Sequence, residues 1–148
     1  MLTKKQQLGD LGEKIVVKRC ACPRCKRKGA LKCLPRNFKC ADVICDFCGF
    51  LAQVKAARVN NVEKLPKQLL GAAWRPQQER MKAGIYFPLF IVLIRQRLSA
   101  IYYLAADLQV PDMFLPRKPL SRTARKAGWR GFRYDLTTVS GRGVVRIA

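Results

Sequence analysis

The chain has 148 residues, 49% of them hydrophobic, which is enough for one domain with a real core but not for two full-sized ones. Its 30 Lys and Arg stand against 9 Asp and Glu, a formal net charge of +21, so a polyanion, above all nucleic acid, is the leading class of partner. There is no histidine, which excludes His-activated nucleophiles, His general bases and His metal ligands; the 7 cysteines, an odd number gathered between Cys20 and Cys48, argue for metal rather than a disulfide framework.

The first residues carry no apolar signal core. The longest apolar run, 85–94, is too short to cross a bilayer and contains Pro88. A cytoplasmic, nucleoid-associated protein with no membrane partner is expected. Leu8, Leu11, Ile15 and Val16 fall on one helical face and predict a helix over 8–17, with Gly9 and Gly12 marking close packing near that face. Glu13 lies one position from the face. It reads either as a solvated helix glutamate or as an acid reaching a metal centre.

Cys22 and Cys25 form one Cys-x-x-Cys pair and Cys45 and Cys48 a second, with 19 residues between them, the spacing of a zinc ribbon. Four thiolates leave a zinc ion no open position, so the predicted knuckle over 20–48 is a scaffold and not a reagent. Cys20 competes with Cys22 for one ligand place. Cys33 and Cys40 read as small core residues, Cys33 alternatively as a loop residue.

Residues 41–55 read as two short strands joined by the turn that holds Cys45 and Cys48. Asp42 sits on the first strand; Gln53 and Lys55, two apart on the second, share a face. An acid, an amide oxygen and a lysine converging above a sheet suit metal-dependent phosphodiester cleavage. The phosphodiester is anionic and repels hydroxide, so a hard cation held by oxygens must neutralise it and polarise water. Lys55 would orient that water and offset charge developing in the transition state.

Further on, Leu65, Leu69, Leu70, Ala73 and Trp74 predict a helix starting near Pro66, which Pro76 breaks or restarts, and 77–82 a second short helix. Strands are expected over 85–94 and 100–106. With the two hairpin strands they make a four-stranded mixed sheet flanked by helices, an α+β, α/β/α-like architecture. A short helix is expected over 110–115, and the last strand, 143–147, should join or edge the sheet. Between them the basic, aromatic region 113–135 places Arg117, Lys118, Arg122, Arg125, Lys126, Arg130 and Arg133 with no acid between Arg117 and Asp135. Trp129, Phe132 and Tyr134 are interleaved. A phosphate-tracking surface is favoured over a solvated charged face, because compensating acids are missing. Trp129 reads equally as a base-stacking residue and as a core tryptophan.

With these pieces in order the chain resembles the catalytic domain of DpnI-type restriction endonucleases, a branch of the PD-(D/E)XK nuclease superfamily. The resemblance rests on the Cys22–Cys25 pair, the 41–55 hairpin and the stretch RKPLSRTARKAGWRGFRYDL over 117–136, and it covers nearly the whole chain. It implies one restriction-endonuclease-like domain over 1–148 with an inserted four-cysteine zinc knuckle. It also implies Mg²⁺-dependent hydrolysis of double-stranded DNA, directed in the best-known members at GATC sites with N6-methylated adenine. Carried over by position, Asp42 matches the metal-binding aspartate, Lys55 the motif lysine, and Glu13 a first-helix glutamate near the metal. Gln53 stands where the motif has a glutamate, the carbonyl of Val54 would be a further Mg²⁺ ligand, and Trp129 matches a base-contacting position. Gln53 leaves the centre one negative charge short, for which Glu13 or Asp46 could substitute. The sequence ends at Ala148 without the C-terminal winged-helix domain of such enzymes. The runner-up reading is a zinc-containing DNA-binding protein on a nuclease fold that no longer cuts; a basic RNA-binding protein is the third.

Overall fold

The computed structural model of the chain describes residues 1–38, 41–124, 128–139 and 143–148. In chain order the elements are α1 (Lys4–Arg19), β1 (Leu31–Cys33), β2 (Val43–Cys45), β3 (Leu51–Arg58), β4 (Gln68–Ala73), α2 (Trp74–Lys82), β5 (Leu89–Arg95), β6 (Leu98–Leu104), β7 (Phe114–Pro116), β8 (Gly131–Asp135) and β9 (Val145–Arg146). They fall into two compact units. The first is Met1–Leu65, Phe87–Ala106 and Val144–Ala148; the second is Pro66–Tyr86 and Asp107–Gly143.

The first unit is a six-stranded mixed sheet in the order β1-β2-β3-β5-β6-β9 with α1 packed on it. The four expected strands are its centre, and β1 and β9 are its edges. β3 and β5 run parallel, with Lys55 opposite Ile91, and every other pairing in this sheet is antiparallel. From Leu89 to Ile94 every β5 residue is buried, as a strand covered on both faces requires.

Helix α1 opens with a capping box: Thr3 Oγ1 accepts the N–H of Gln6 while Gln6 Oε1 accepts that of Thr3. Its buried residues are Gly12 and Val16, whereas Leu11 is 38% exposed, so the contact stripe runs through a glycine and not through Leu11. A Cβ on Gly12 would lie 2.7 Å from the Cβ of Ala56 on β3. The missing side chain sets how closely α1 approaches the sheet.

The second unit is a three-stranded antiparallel sheet, β4-β8-β7, with α2 following β4 directly. The helix expected from Pro66 is therefore a strand. Leu69 is buried between exposed Gln68 and Leu70, and Gly71 lies under the Phe132 ring, which a Cβ there would strike. Small residues at 71–73 make room for an aromatic neighbour from β8, and that pairing outweighs the helical spacing of the leucines. Pro76 neither breaks nor restarts a helix. It sits in the first turn of α2, where a missing N–H costs nothing. The helix expected at 110–115 is a single 3₁₀ turn, Pro111–Met113, running into β7.

Candidate active site and metal centre

Two turns of the same shape make the cysteine cluster. In the first, the N–H of Lys26 donates to the carbonyl of Cys22 at 2.9 Å and the N–H of Cys22 to that of Arg27 at 3.0 Å. In the second, Gly49 donates to Cys45 at 2.9 Å and Cys45 to Phe50 at 2.8 Å. The residue after each pair takes a left-handed conformation, Lys26 at φ 66 and Gly49 at φ 77. Glycine adopts it freely; lysine does so at a cost.

The four sulfurs of Cys22, Cys25, Cys45 and Cys48 lie within 4.8 Å of one another. The Cys22–Cys48 and Cys25–Cys45 separations are 3.6 and 3.7 Å. A tetrahedral ion with bonds of about 2.3 Å places its sulfurs roughly 3.8 Å apart, so the quartet already has the geometry of a four-thiolate site and is positioned to hold a metal ion. The N–H groups of Cys48 and Phe47 lower the Cys45 thiol to about 7, against burial; burial lifts Cys22 to about 11. Cys20 stays outside the quartet, buried at the C-cap of α1. Cys33 is an exposed residue of β1 and not a core residue, and Cys40 lies outside the described residues.

At the other end of β2 the same hairpin carries Asp42. Its N–H donates to the carbonyl of Ala52, and its Oδ2 accepts the N–H of Val54 at 2.8 Å, so the carboxylate is tied to β3 just where the β2 ladder stops. A strand residue sends its N–H and C=O to the same edge, which directs the Val54 carbonyl toward Asp42. Gln53 and Lys55 share the face of β3 opposite buried Ala52 and Val54.

Asp42 and Glu13 line one cleft of about 320 Å³, together with Gly9, Asp10, Cys33 and Arg36. Burial, then the charges of Asp42 and Asp10, push Glu13 up to about 7, while Arg36 and Lys55 pull the other way. Burial also raises Asp42, against the Val54 N–H and the Lys55 charge. The ammonium of Lys55 thus acts on both carboxylates, although neither it nor Gln53 lines the cleft.

Asp46 is exposed in the turn beyond the far end of β2, about 13 Å from Asp42 by strand rise. It does not line the cleft that Glu13 and Asp42 share. Asp10 and Arg36, joined by an ion pair of 2.5 Å at the cleft, were not singled out from the sequence. Asp10 lies one helical turn before Glu13, a signal that was available; Arg36 follows β1 in a loop and belongs to no pattern.

The model of the DpnI, Dam-replacing family matches residues 2–148. The chain belongs to that family. Membership of the DpnI family points to a restriction-type nuclease acting on DNA.

Its basic region lies in the second unit. Beyond the β7–β8 ladder the hairpin continues: Arg117 donates to the carbonyl of Gly131, Leu120 to that of Trp129, and Gly128, at φ 76, to that of Leu120. Arg117, Lys118, Arg122 and Arg130 are exposed and Arg133 is half-buried on β8. Arg125 and Lys126 lie outside the described residues. Phe132 and Tyr134 do not belong to this surface. They are 1% and 2% exposed and pack with Phe114 in the core of the small sheet. Trp129, 40% exposed, lies over the backbone of Gly131, on the strand side that alternation gives to Arg133. Among the described residues no helix is long and apolar enough to cross a membrane.

Proposed function

We propose that this DpnI-family protein is a Mg²⁺-dependent endonuclease that hydrolyses phosphodiester bonds in double-stranded DNA, over a scaffold pinned by structural zinc. The observation that carries the reading is the pairing of Glu13 with Asp42 in one cleft under the field of Lys55. Two carboxylates partly withdrawn from water repel each other, and a hard divalent cation removes that cost. Asp42, Glu13, the amide oxygen of Gln53 and the carbonyl of Val54 would hold it. When bound, the ion neutralises the phosphate and lowers the pKa of a coordinated water. Lys55 orients the attacking water and balances negative charge developing on the phosphorus oxygens. For the cysteines the donor chemistry is soft and complete, which suits zinc and leaves no place for substrate.

Arg117, Lys118, Arg122, Arg125, Lys126, Arg130 and Arg133 would track phosphates, with Trp129 the base-contacting candidate. GATC sites with N6-methylated adenine are the first substrate to test. The neutral oxygen of Gln53 favours one second reading, a zinc-containing DNA-binding protein that no longer cuts.

Paired plasmids, adenine-methylated and unmethylated, incubated with Mg²⁺ or Mn²⁺ separate these readings. Cutting of the methylated plasmid alone supports the methyl-directed nuclease; cutting of both keeps the nuclease without the methyl preference. Lys55→Ala should lower cleavage by about 10²-fold or more while DNA affinity stays within about twofold. Binding without cleavage in both proteins would leave the binding module.

A further inference from the structure

The first unit carries a second cavity, of about 540 Å³, that shares no lining residue with the acidic cleft. Arg19, Arg24 and Lys26 stand around it, half-buried Tyr103 gives it an aromatic wall backed by Phe50, which is 4% exposed, and Ile147 adds apolar surface. No acidic side chain lines it.

The parts of this cavity are held firmly. Phe50 leaves the second cysteine turn with its carbonyl bound to the N–H of Cys45, and its ring centre lies 6.5 Å from that of Tyr103, which in turn lies 5.2 Å from that of Phe90. Arg24 and Lys26 flank Cys25 on the first turn, and the Arg24 guanidinium lies 5.4 Å over the Phe50 ring. Arg19 is fixed from the end of α1 by hydrogen bonds to the carbonyl and hydroxyl of Ser99. In so basic a chain a row of cations is ordinarily a solvated face. Here the cations instead rim a concavity with aromatic walls, of a size typical of small-molecule sites, which span roughly 300–1,000 Å³.

Aromatic rings offer a stacking platform to a planar base, and cations at the mouth suit its phosphate. We propose that this cavity binds one nucleotide, its base against the Tyr103 ring and its phosphate held by Arg24 and Lys26. The same chemistry serves an unpaired nucleotide of a DNA strand and a free mononucleotide. The inference goes beyond the nuclease reading, and titrations without added Mg²⁺ or Mn²⁺ keep it independent of cleavage.

The test titrates the folded, metal-loaded protein with 2′-deoxyadenosine 5′-monophosphate by calorimetry, and with a short single strand carrying 2-aminopurine by fluorescence. The cavity variant is Arg24→Glu with Lys26→Gly, the glycine keeping the left-handed backbone. The control of equal charge change is Arg27→Glu with Lys28→Gln, residues that do not line the cavity. Thermal melting and metal content of both variants are matched to wild type first. The cavity variant should weaken binding about tenfold or more, and the control less than about threefold. In the wild type alone, deoxyadenosine and inorganic phosphate should each bind at least about tenfold more weakly than the intact mononucleotide. Saturable binding of the mononucleotide with a silent oligonucleotide assigns the free form; the converse assigns a strand nucleotide. No saturable binding of either, or equal effects in the two variants, overturns the proposal.

Discussion

Two side-chain clusters meet one hairpin, β2–β3, the cysteine quartet and the acidic cleft, and they are built in opposite ways. The cysteine quartet draws its four donors from two turns of the same backbone form, each holding its pair by local hydrogen bonds. The acidic cleft draws Glu13 from α1 and Asp42 from the edge of β2, and takes the Lys55 charge from β3. The first cluster is nearly complete as soon as its turns form and the hairpin closes. The second exists only when a helix lies at the right height on a sheet, and burial there raises the pKa of both its carboxylates. A local cluster can serve as scaffold; a dispersed one is suited to a centre that must respond to its ligands.

The sharpest way to break this contrast is to remove one cysteine. Cys45→Ser should cost several kcal/mol, the order of a whole domain's stability, because metal binding in such knuckles is folding free energy. Thermal unfolding alongside metal content checks it. A variant that loses its metal and still melts like wild type would remove the scaffold role.

The acidic cleft should respond instead to packing. Gly12→Val drives side-chain atoms into Ala56 and should destabilise by about 1–3 kcal/mol, lifting Glu13 away from the sheet and lowering cleavage with it. Gly9 meets nothing within 4 Å, so Gly9→Ala should stabilise by about 1 kcal/mol through helix propensity alone. Denaturant midpoints of the two variants moving in the same direction would contradict the close approach of α1 to β3.

How far each cluster could be read from the sequence follows the same division. Cys-x-x-Cys pairs are local, and so is the period-two spacing of Gln53 and Lys55; both were legible. The register of α1 was not, since Leu11 and Gly12 are neighbours and it is Ala56 and Val54, distant in sequence, that lie against Gly12. Leu65, Leu69, Leu70, Ala73 and Trp74 mimic a helix, and the partner that makes 68–73 a strand is β8, far along the chain. Phe132 and Tyr134, interleaved with the cations along the chain, go to a core for the same reason: that core is built from strands distant in sequence. Arg36 had no pattern to betray it.

Charge sharpens the comparison next. Gln53→Glu adds the carboxylate that the motif has and this chain lacks, and should tighten Mg²⁺ binding by about tenfold, read by calorimetry on the DNA-free protein. It should leave the cysteine cluster's metal content unchanged. Tightening absent in Gln53→Glu would place the ion away from β3.

The smallest effect is a pH slope. Folded, Glu13 ionises near 7 instead of at its ordinary 4.5, so between those values the folded state holds more protons than the unfolded one. Its contribution to stability is therefore full below about 4.5 and lost as pH rises through 7, and Asp42, also raised, acts in the same direction. The metal-free acidic cleft should make the melting temperature fall from pH 5.5 to pH 8. Glu13→Gln should flatten that fall, and so should saturating Mg²⁺, because a cation favours the carboxylates and lowers the folded pKa. The cysteine cluster, loaded with its ion throughout, contributes no such difference between the two proteins. A slope unchanged by both the variant and Mg²⁺ would mean that Glu13 does not share a cation with Asp42, and the acidic cleft would lose its helix-borne ligand.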